Sequence, residues 1–277
     1  MKAKITSSLI ISTYNWPEAL ELVLKSILTQ YVFPNEIIIA DDGSTIETKN
    51  MITFYQSKFK IPLIHVYQED TGFRLSEIRN KAIKKSTGDY IIQIDGDVIL
   101  HKNFIEDHLK IAKENCFVRG SRVKMDENLS KKILANKTAK ISLLTKGIKN
   151  RGNGIRFPFL TKLLIYKKED KLKMLGCNMA FWRKDVFKIN GYDNNLQGWG
   201  YEDSELAARL INCNLKKRVM KNMGIVHHIY HKERNTDSAN SNYTILEKTV
   251  NSNLKIAENG INNFLTHDNN TTNDTNL

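Results

Sequence analysis

The chain has 277 residues, 41% of them apolar, and a formal net charge of +12, so it can bury a full core as one large or two fused domains. The apolar content excludes a disordered chain, and without a run of about 18 apolar residues no transmembrane helix is expected. Cys116, Cys177 and Cys213 show neither CxxC nor Cys/His spacing, so neither a disulfide framework nor a zinc site is indicated and all three are expected reduced.

The short charged stretch before SSLIIS lacks the apolar segment of a secretory signal, so a cytoplasmic protein is expected. KITSSLIIS reads as a strand. Trp16-Pro17 then opens a helix with Leu20, Val23, Leu24, Ile27 and Leu28 on one face. EIIIAD is a buried strand ending at Asp41-Asp42, IPLIHVYQ is the next, LSEIRNKAIKKS is helical, and DYIIQID is a fourth strand running into Asp95-Gly96-Asp97. Strands separated by helices in this rhythm imply βαβ units and an α/β fold with a mostly parallel central sheet.

Ligands of such sheets bind beyond the carboxyl ends of the strands. Polar clusters stand there in order: Thr13-Tyr14-Asn15, Asp41-Asp42-Gly43-Ser44, Asp70, then Asp95 and Asp97. Any one of them alone is commonly a turn with an aspartate capping the next helix. Their convergence is the stronger signal. Paired aspartates leaving a buried strand suit a hard cation, Mg²⁺ or Mn²⁺, shared with a phosphate. Neither GxxxxGK[ST] nor GxGxxG is present, so a metal, helped by Arg74 and Arg79, is left to neutralise phosphate charge.

CFVRGSRV is read as a fifth strand. From Arg119 to Lys173 there are 16 Lys and Arg against 4 Asp and Glu, with scattered apolar residues, which suggests an inserted helical or lid region. Docking on an anionic membrane is the preferred explanation of its charge, with a merely solvated surface as the alternative. LQGWGYEDSEL follows: Glu202 and Asp203 begin a helix with Leu206, Leu210 and Ile211 inward, where backbone N–H groups favour an ionised carboxylate. Trp199 offers a face for a sugar ring, and Gly198 and Gly200 let the loop approach a ligand. GIVHHIYH reads as a strand with His227 and His231 on one side and His228 on the other. A last helix spans Tyr243 to Ala257, and the Asn/Thr/Asp-rich end cannot build a core.

The motifs SLIISTYN, ADDGS, EDTGFRLSEIRNKAI, GDYIIQIDGDV, GCNMAFWRKDVFKINGYD and GWGYEDSELAARL, in that order, resemble the inverting nucleotide-sugar glycosyltransferases of family 2 with the GT-A fold. GWGYED resembles the carboxyl-terminal motif of β-1,4-galactosyltransferases and bacterial chondroitin-polymerase-type enzymes. The resemblance covers about residues 1–118 and 175–235. It implies a UDP-sugar donor held by Thr13, Tyr14, Asp41, Asp42, Arg74, Arg79, Asp95 and Gly96, and a Mn²⁺ or Mg²⁺ ion on Asp97 and His231, with His228 as a second candidate ligand. It further implies Asp203 as catalytic base, Glu202 on sugar or acceptor hydroxyls, and an acceptor site at Gly198, Trp199 and Gly200. The acceptor would be a glycan or lipid-linked saccharide of surface-polysaccharide synthesis, met at the inner face of the cell membrane.

Two departures stand out: Cys177 replaces an expected Gly or Ser, and the basic insertion has no counterpart in the family pattern. The expected organisation is a nucleotide-sugar-binding half over 1–118, the basic insertion over 119–173, an acceptor and catalytic half over 174–258, and a disordered tail over 259–277. Two rival readings fit the residues less well. A nucleotidyltransferase leaves GWGYED without a duty, and a nucleic-acid-binding protein is disfavoured by acidic strand ends that repel a polyanion; no nucleic-acid partner is expected.

Overall fold

A computed structural model describes residues 5–165, 172–232 and 238–264. In chain order the elements are β1 (Ser7–Thr13), α1 (Pro17–Ile27), β2 (Glu36–Asp41), α2 (Ile46–Gln56), β3 (Leu63–Tyr67), α3 (Leu75–Lys85), β4 (Tyr90–Asp95), β5 (Val98–Leu100), α4 (Phe104–Ile111) and β6 (Cys116–Arg119). They continue as β7 (Val123–Met125), α5 (Glu127–Ala135), β8 (Ile148–Lys149), α6 (Pro158–Leu164), β9 (Met179–Trp182), α7 (Arg183–Lys188), α8 (Glu202–Asn212), β10 (Lys216–Val219), β11 (Val226–His228) and α9 (Ala239–Asn251).

A seven-stranded sheet has the order β10-β6-β9-β4-β1-β2-β3. Its pairs are parallel except for those of β9, which runs antiparallel to both β4 and β6. Alternation of side chains splits each central strand between two apolar layers. Leu9, Ile11, Ile37, Ile39, Ile92 and Ile94 pack on α1, α2 and α4. Ile10, Ile38 and Ile91 pack on α3 and α8, through Ile78, Ala82, Ile83, Leu206 and Leu210. The register sets Thr13 beside Asp41 and Ser12 beside Asp95, so the polar strand ends finish level with one another. The expected α/β sheet flanked by helices is thus the observed architecture.

A second sheet, β5-β11-β7-β8, packs with α5 on the outer side of α1 through Ala19, Leu22, Val123, Leu129, Ile133 and Ile225. It changes three expectations. CFVRGSRV is not one strand: the chain leaves the main sheet after Arg119 and enters the second at Val123. The basic segment is not purely helical, because β7 and β8 are strands of this small sheet, whose apolar face needs covering. Strand β11 ends at His228, so the period-two expectation for the histidines fails beyond it.

Further differences are local. Leu28 lies past the end of α1 and is 38% exposed, because a face spacing means nothing once the helix stops. The last helix begins earlier than expected, at Ala239, and ends at Asn251. The expectation of a disordered tail from 259 fails for residues 259–264, which carry a 3-10 turn whose Ile261 is buried against α3 and the Asn190 loop; the rest of that expectation, 265–277, lies outside the described residues. Part of the basic insertion, 166–171, lies outside them as well. The cysteines are free, and no described helix is long and apolar enough to cross a membrane.

Candidate active site

The level carboxyl ends of β1 and β4, the N-terminus of α8 and the end of β11 enclose a cleft of about 790 Å³. Thr13, Tyr14, Asp42, Asp95 and Gly96 line one wall. Asp42 is held by Gln68 Nε2 and by the Arg74 backbone N–H, and burial raises its pKa. The Tyr14 hydroxyl donates to Asp70 at 2.8 Å.

Three expected site residues do not line the cleft. Asp41 is buried beneath it, accepting from the Ser44 N–H at 2.9 Å and meeting His65 Nε2 at 2.8 Å, so it fixes the DDGS turn. The Arg74 guanidinium is engaged by Glu77 and the Glu69 carbonyl. Gly198 is absent from the lining and is bonded from its N–H to the Phe73 carbonyl at 3.1 Å.

Arg79 lines the cleft, but not as a free phosphate-binding cation. Its guanidinium is 1% exposed and spans three carboxylates: Asp203 at 3.0 Å, Asp95 at 3.1 Å and Glu202 at 3.7 Å. Helix α3 therefore fastens the end of β4 to the start of α8. Asp203 Oδ1 also accepts from the Tyr192 hydroxyl at 3.2 Å, which in turn is set against Gln93. Gly176 passes so close that a Cβ there would sit 2.2 Å from Asp203 Oδ2. Burial raises the pKa of Asp203 against the opposing pull of Arg79. Glu202 is raised too, first by burial and then by Asp203 beside it.

The loop before α8 is bent by its backbone. Gly200 has φ +117° and Tyr201 φ +68°, the second an uncommon left-handed conformation for an aromatic residue. The buried Asn242 of α9 secures the bend, donating to the carbonyls of Gln197 and Gly200 at 3.0 Å each. Trp199 is thereby left 47% exposed at the cleft mouth.

On the opposite wall, Asp97 Oδ2 lies 3.3 Å from His231 Nε2 and 3.6 Å from His228 Nε2. One ligand atom from each lies within 4.8 Å of the others. Both histidines reach Asp97 because the chain turns after β11; His227 points instead into the protein, and burial lowers its pKa to about 4. Burial also lowers the pKa of His228, keeping a lone pair on the ring. A carboxylate and two imidazoles form a donor set suited to a divalent transition ion such as Mn²⁺.

The sequence pattern of glycosyl transferase family 2 matches residues 8–189. The chain belongs to this family. A second pattern, described as the N-terminal domain of galactosyltransferase, matches residues 165–232, the part of this family 2 chain that holds GWGYED and the histidines. The chain is 25% identical over 225 residues to a chondroitin synthase of Escherichia coli, a match covering 73% of this chain and 32% of that protein. The chain thus spans about a third of that relative's length.

Among solved structures, GalNAc-T7 with UDP, GalNAc and Mn²⁺ superposes with a TM-score of 0.64 at 19% identity, over 89% of this chain and 48% of that one. The mannosyltransferase PcManGT of Pyrobaculum calidifontis with GDP-Man and Mn²⁺ gives 0.58 at 16%, over 84% and 59%. At those identities the likeness is one of fold, and the fold is GT-A.

Tyr192, Gly176, Arg122 and Lys124 were not singled out as site residues from the sequence. Tyr192 and Gly176 both lie within the GCNMAFWRKDVFKINGYD motif. Arg122 and Lys124 lay in the basic segment, where nothing in the sequence set them apart from their neighbours.

Proposed function

We propose that the protein is a metal-dependent inverting glycosyltransferase that moves a sugar from a UDP-sugar to a hydroxyl of a glycan or lipid-linked acceptor. The observation that carries this reading is the convergence on one cleft of Asp95 and Asp203, joined through Arg79, with the Asp97, His228 and His231 cluster. Thr13, Tyr14, Asp42, Asp95 and Gly96 bind the donor. Asp97, His228 and His231 hold Mn²⁺ or Mg²⁺, which when bound offsets charge on the departing diphosphate.

Asp203 is the general base. As the acceptor oxygen attacks the anomeric carbon, its proton passes to the Asp203 carboxylate, the bond from that carbon to the UDP oxygen breaks, and configuration inverts. Burial raises the pKa of the Asp203 carboxylate and so strengthens it as a base. Arg79 and Tyr192 fix its orientation. Glu202 binds a sugar or acceptor hydroxyl, and Trp199 stacks on the acceptor ring.

The deciding experiment pairs a donor screen with one substitution. UDP-, GDP- and dTDP-sugars are offered with Mn²⁺, and Asp203→Asn is expected to bind UDP normally while transfer falls by roughly 10²- to 10⁴-fold. Unimpaired turnover in that variant removes Asp203 from its role. Full activity in EDTA removes the metal ligands from theirs.

The basic segment supports the acceptor reading. Phe157, Phe159 and Leu163 are 53%, 65% and 68% exposed, in a segment that also carries Lys149 and Arg151. Apolar side chains among cations match an anionic bilayer surface, and such docking delivers the cleft to a membrane-anchored acceptor.

A further inference from the structure

Among the described residues, three cationic side chains line the cleft: Arg79, Arg122 and Lys124. The charge of Arg79 is taken up by Asp95, Asp203 and Glu202. Arg122 and Lys124 form no ion pair with a carboxylate among the described residues. Both lie at the start of the second sheet, where they alternate with the buried Val123 and Met125. Lys124 is in register with His228 across the parallel β7–β11 pair. The Arg122 guanidinium is hydrogen-bonded to the Cys177 thiol, and His228 lines the same wall of the cleft.

Lys124 alone would be an ordinary solvated lysine. Arg122 is different, because it is half-buried and leans on a thiol that burial keeps protonated, its pKa pushed up to about 12. A half-buried guanidinium at the wall of a cleft with no carboxylate in direct contact is free to direct its N–H groups at an anion that enters. An arginine fork matches phosphate oxygens in particular.

We propose that Arg122, assisted by Lys124, is an anion-binding pole of the cleft that takes the phosphate oxygens of the donor's diphosphate, with Cys177 as the small buried contact that sets its position. This rests on the glycosyltransferase reading and adds to it a specific pair of residues for the diphosphate. It also gives two members of the basic segment a duty distinct from its outward surface.

The test uses the full chain with UDP, uridine and inorganic pyrophosphate as probes, titrated with and without Mn²⁺. Arg122→Met is expected to weaken UDP and pyrophosphate binding by roughly 10- to 100-fold, as for loss of hydrogen bonds to a charged group, and to leave uridine binding unchanged. Arg122→Lys should recover part of the loss, and an unchanged Tm for both variants shows that they fold.

If UDP binding holds in Arg122→Met but the KM rises for an anionic acceptor and not for a neutral one, the pole is anion-binding but serves the acceptor, and the diphosphate assignment is overturned. If neither changes, the pole itself is overturned. A wild-type protein that binds no nucleoside diphosphate at all would instead overturn the donor reading on which this rests.

Discussion

Replacing Arg79 by methionine keeps most of the side-chain volume and removes the charge that three carboxylates share. In the wild type the guanidinium is 1% exposed, with Asp203 at 3.0 Å, Asp95 at 3.1 Å and Glu202 at 3.7 Å, while these carboxylates are 17%, 34% and 13% exposed. Removing one partner of a buried ion pair costs about 3 to 5 kcal/mol, because the remaining charge stays desolvated. Asp95 is the most exposed of the three and solvent screens its share, so the lower figure, about 3 kcal/mol near pH 7.5, is expected.

The loss depends on pH with a defined sign. Arg79 holds the pKa of Asp203 and Glu202 down against burial. Without it both rise further above their unfolded values, so the folded variant binds more protons than the unfolded chain from about pH 4 upward to the raised pKa values. Its stability falls as pH rises through that window and is best in acid. Urea denaturation of wild type and Arg79→Met at about pH 7.5 and about pH 5, both in chelator, should therefore show a deficit that is large at the higher pH and much smaller at the lower. A deficit under about 1 kcal/mol, or one equal at both pH values, would refute the idea that Arg79 neutralises a buried carboxylate cluster.

Other variants probe separate parts of the molecule. Gly176→Ala places a methyl 2.2 Å from Asp203 Oδ2, so transfer should fall sharply while UDP still binds; wild-type kcat would show that the carboxylate position is not critical. His108 is buried beside Asn178 and its pKa is lowered to about 4. Its contribution is whole above about pH 6.5 and is lost as pH falls toward about 4, costing on the order of 2 kcal/mol between about pH 7 and 5. Denaturation of His108→Asn should show a flatter pH dependence than wild type, and equal slopes would contradict the assignment. Cosedimentation with vesicles of anionic lipid at physiological salt should retain the protein, and Phe159→Ser with Leu163→Ser should release it; no retention of the wild type returns the basic segment to a solvated surface.

Much of this was legible along the chain. The runs SLIIS, EIIIAD and YIIQID fixed three adjacent strands, because a sheet covered on both faces requires unbroken apolar residues. Strand β10 escaped notice for the opposite reason: its KKRV sequence serves a sheet edge, where apolar residues are not needed. The histidines were misplaced by a periodicity that holds only inside a strand, and β11 ends at His228.

The amino-acid order by itself determined the α/β class, the polar strand ends and the identity of the acids at GWGYED, since these follow from local periodicity and motif spacing. Tertiary structure alone decided the charge of the site. Arg79, expected to face phosphate, is spent on carboxylates from β4 and α8, while Arg122 and Lys124, hidden among surface cations in the sequence, face the cleft. Charge pairing depends on which distant segments meet in space, and spacing along a chain does not encode that.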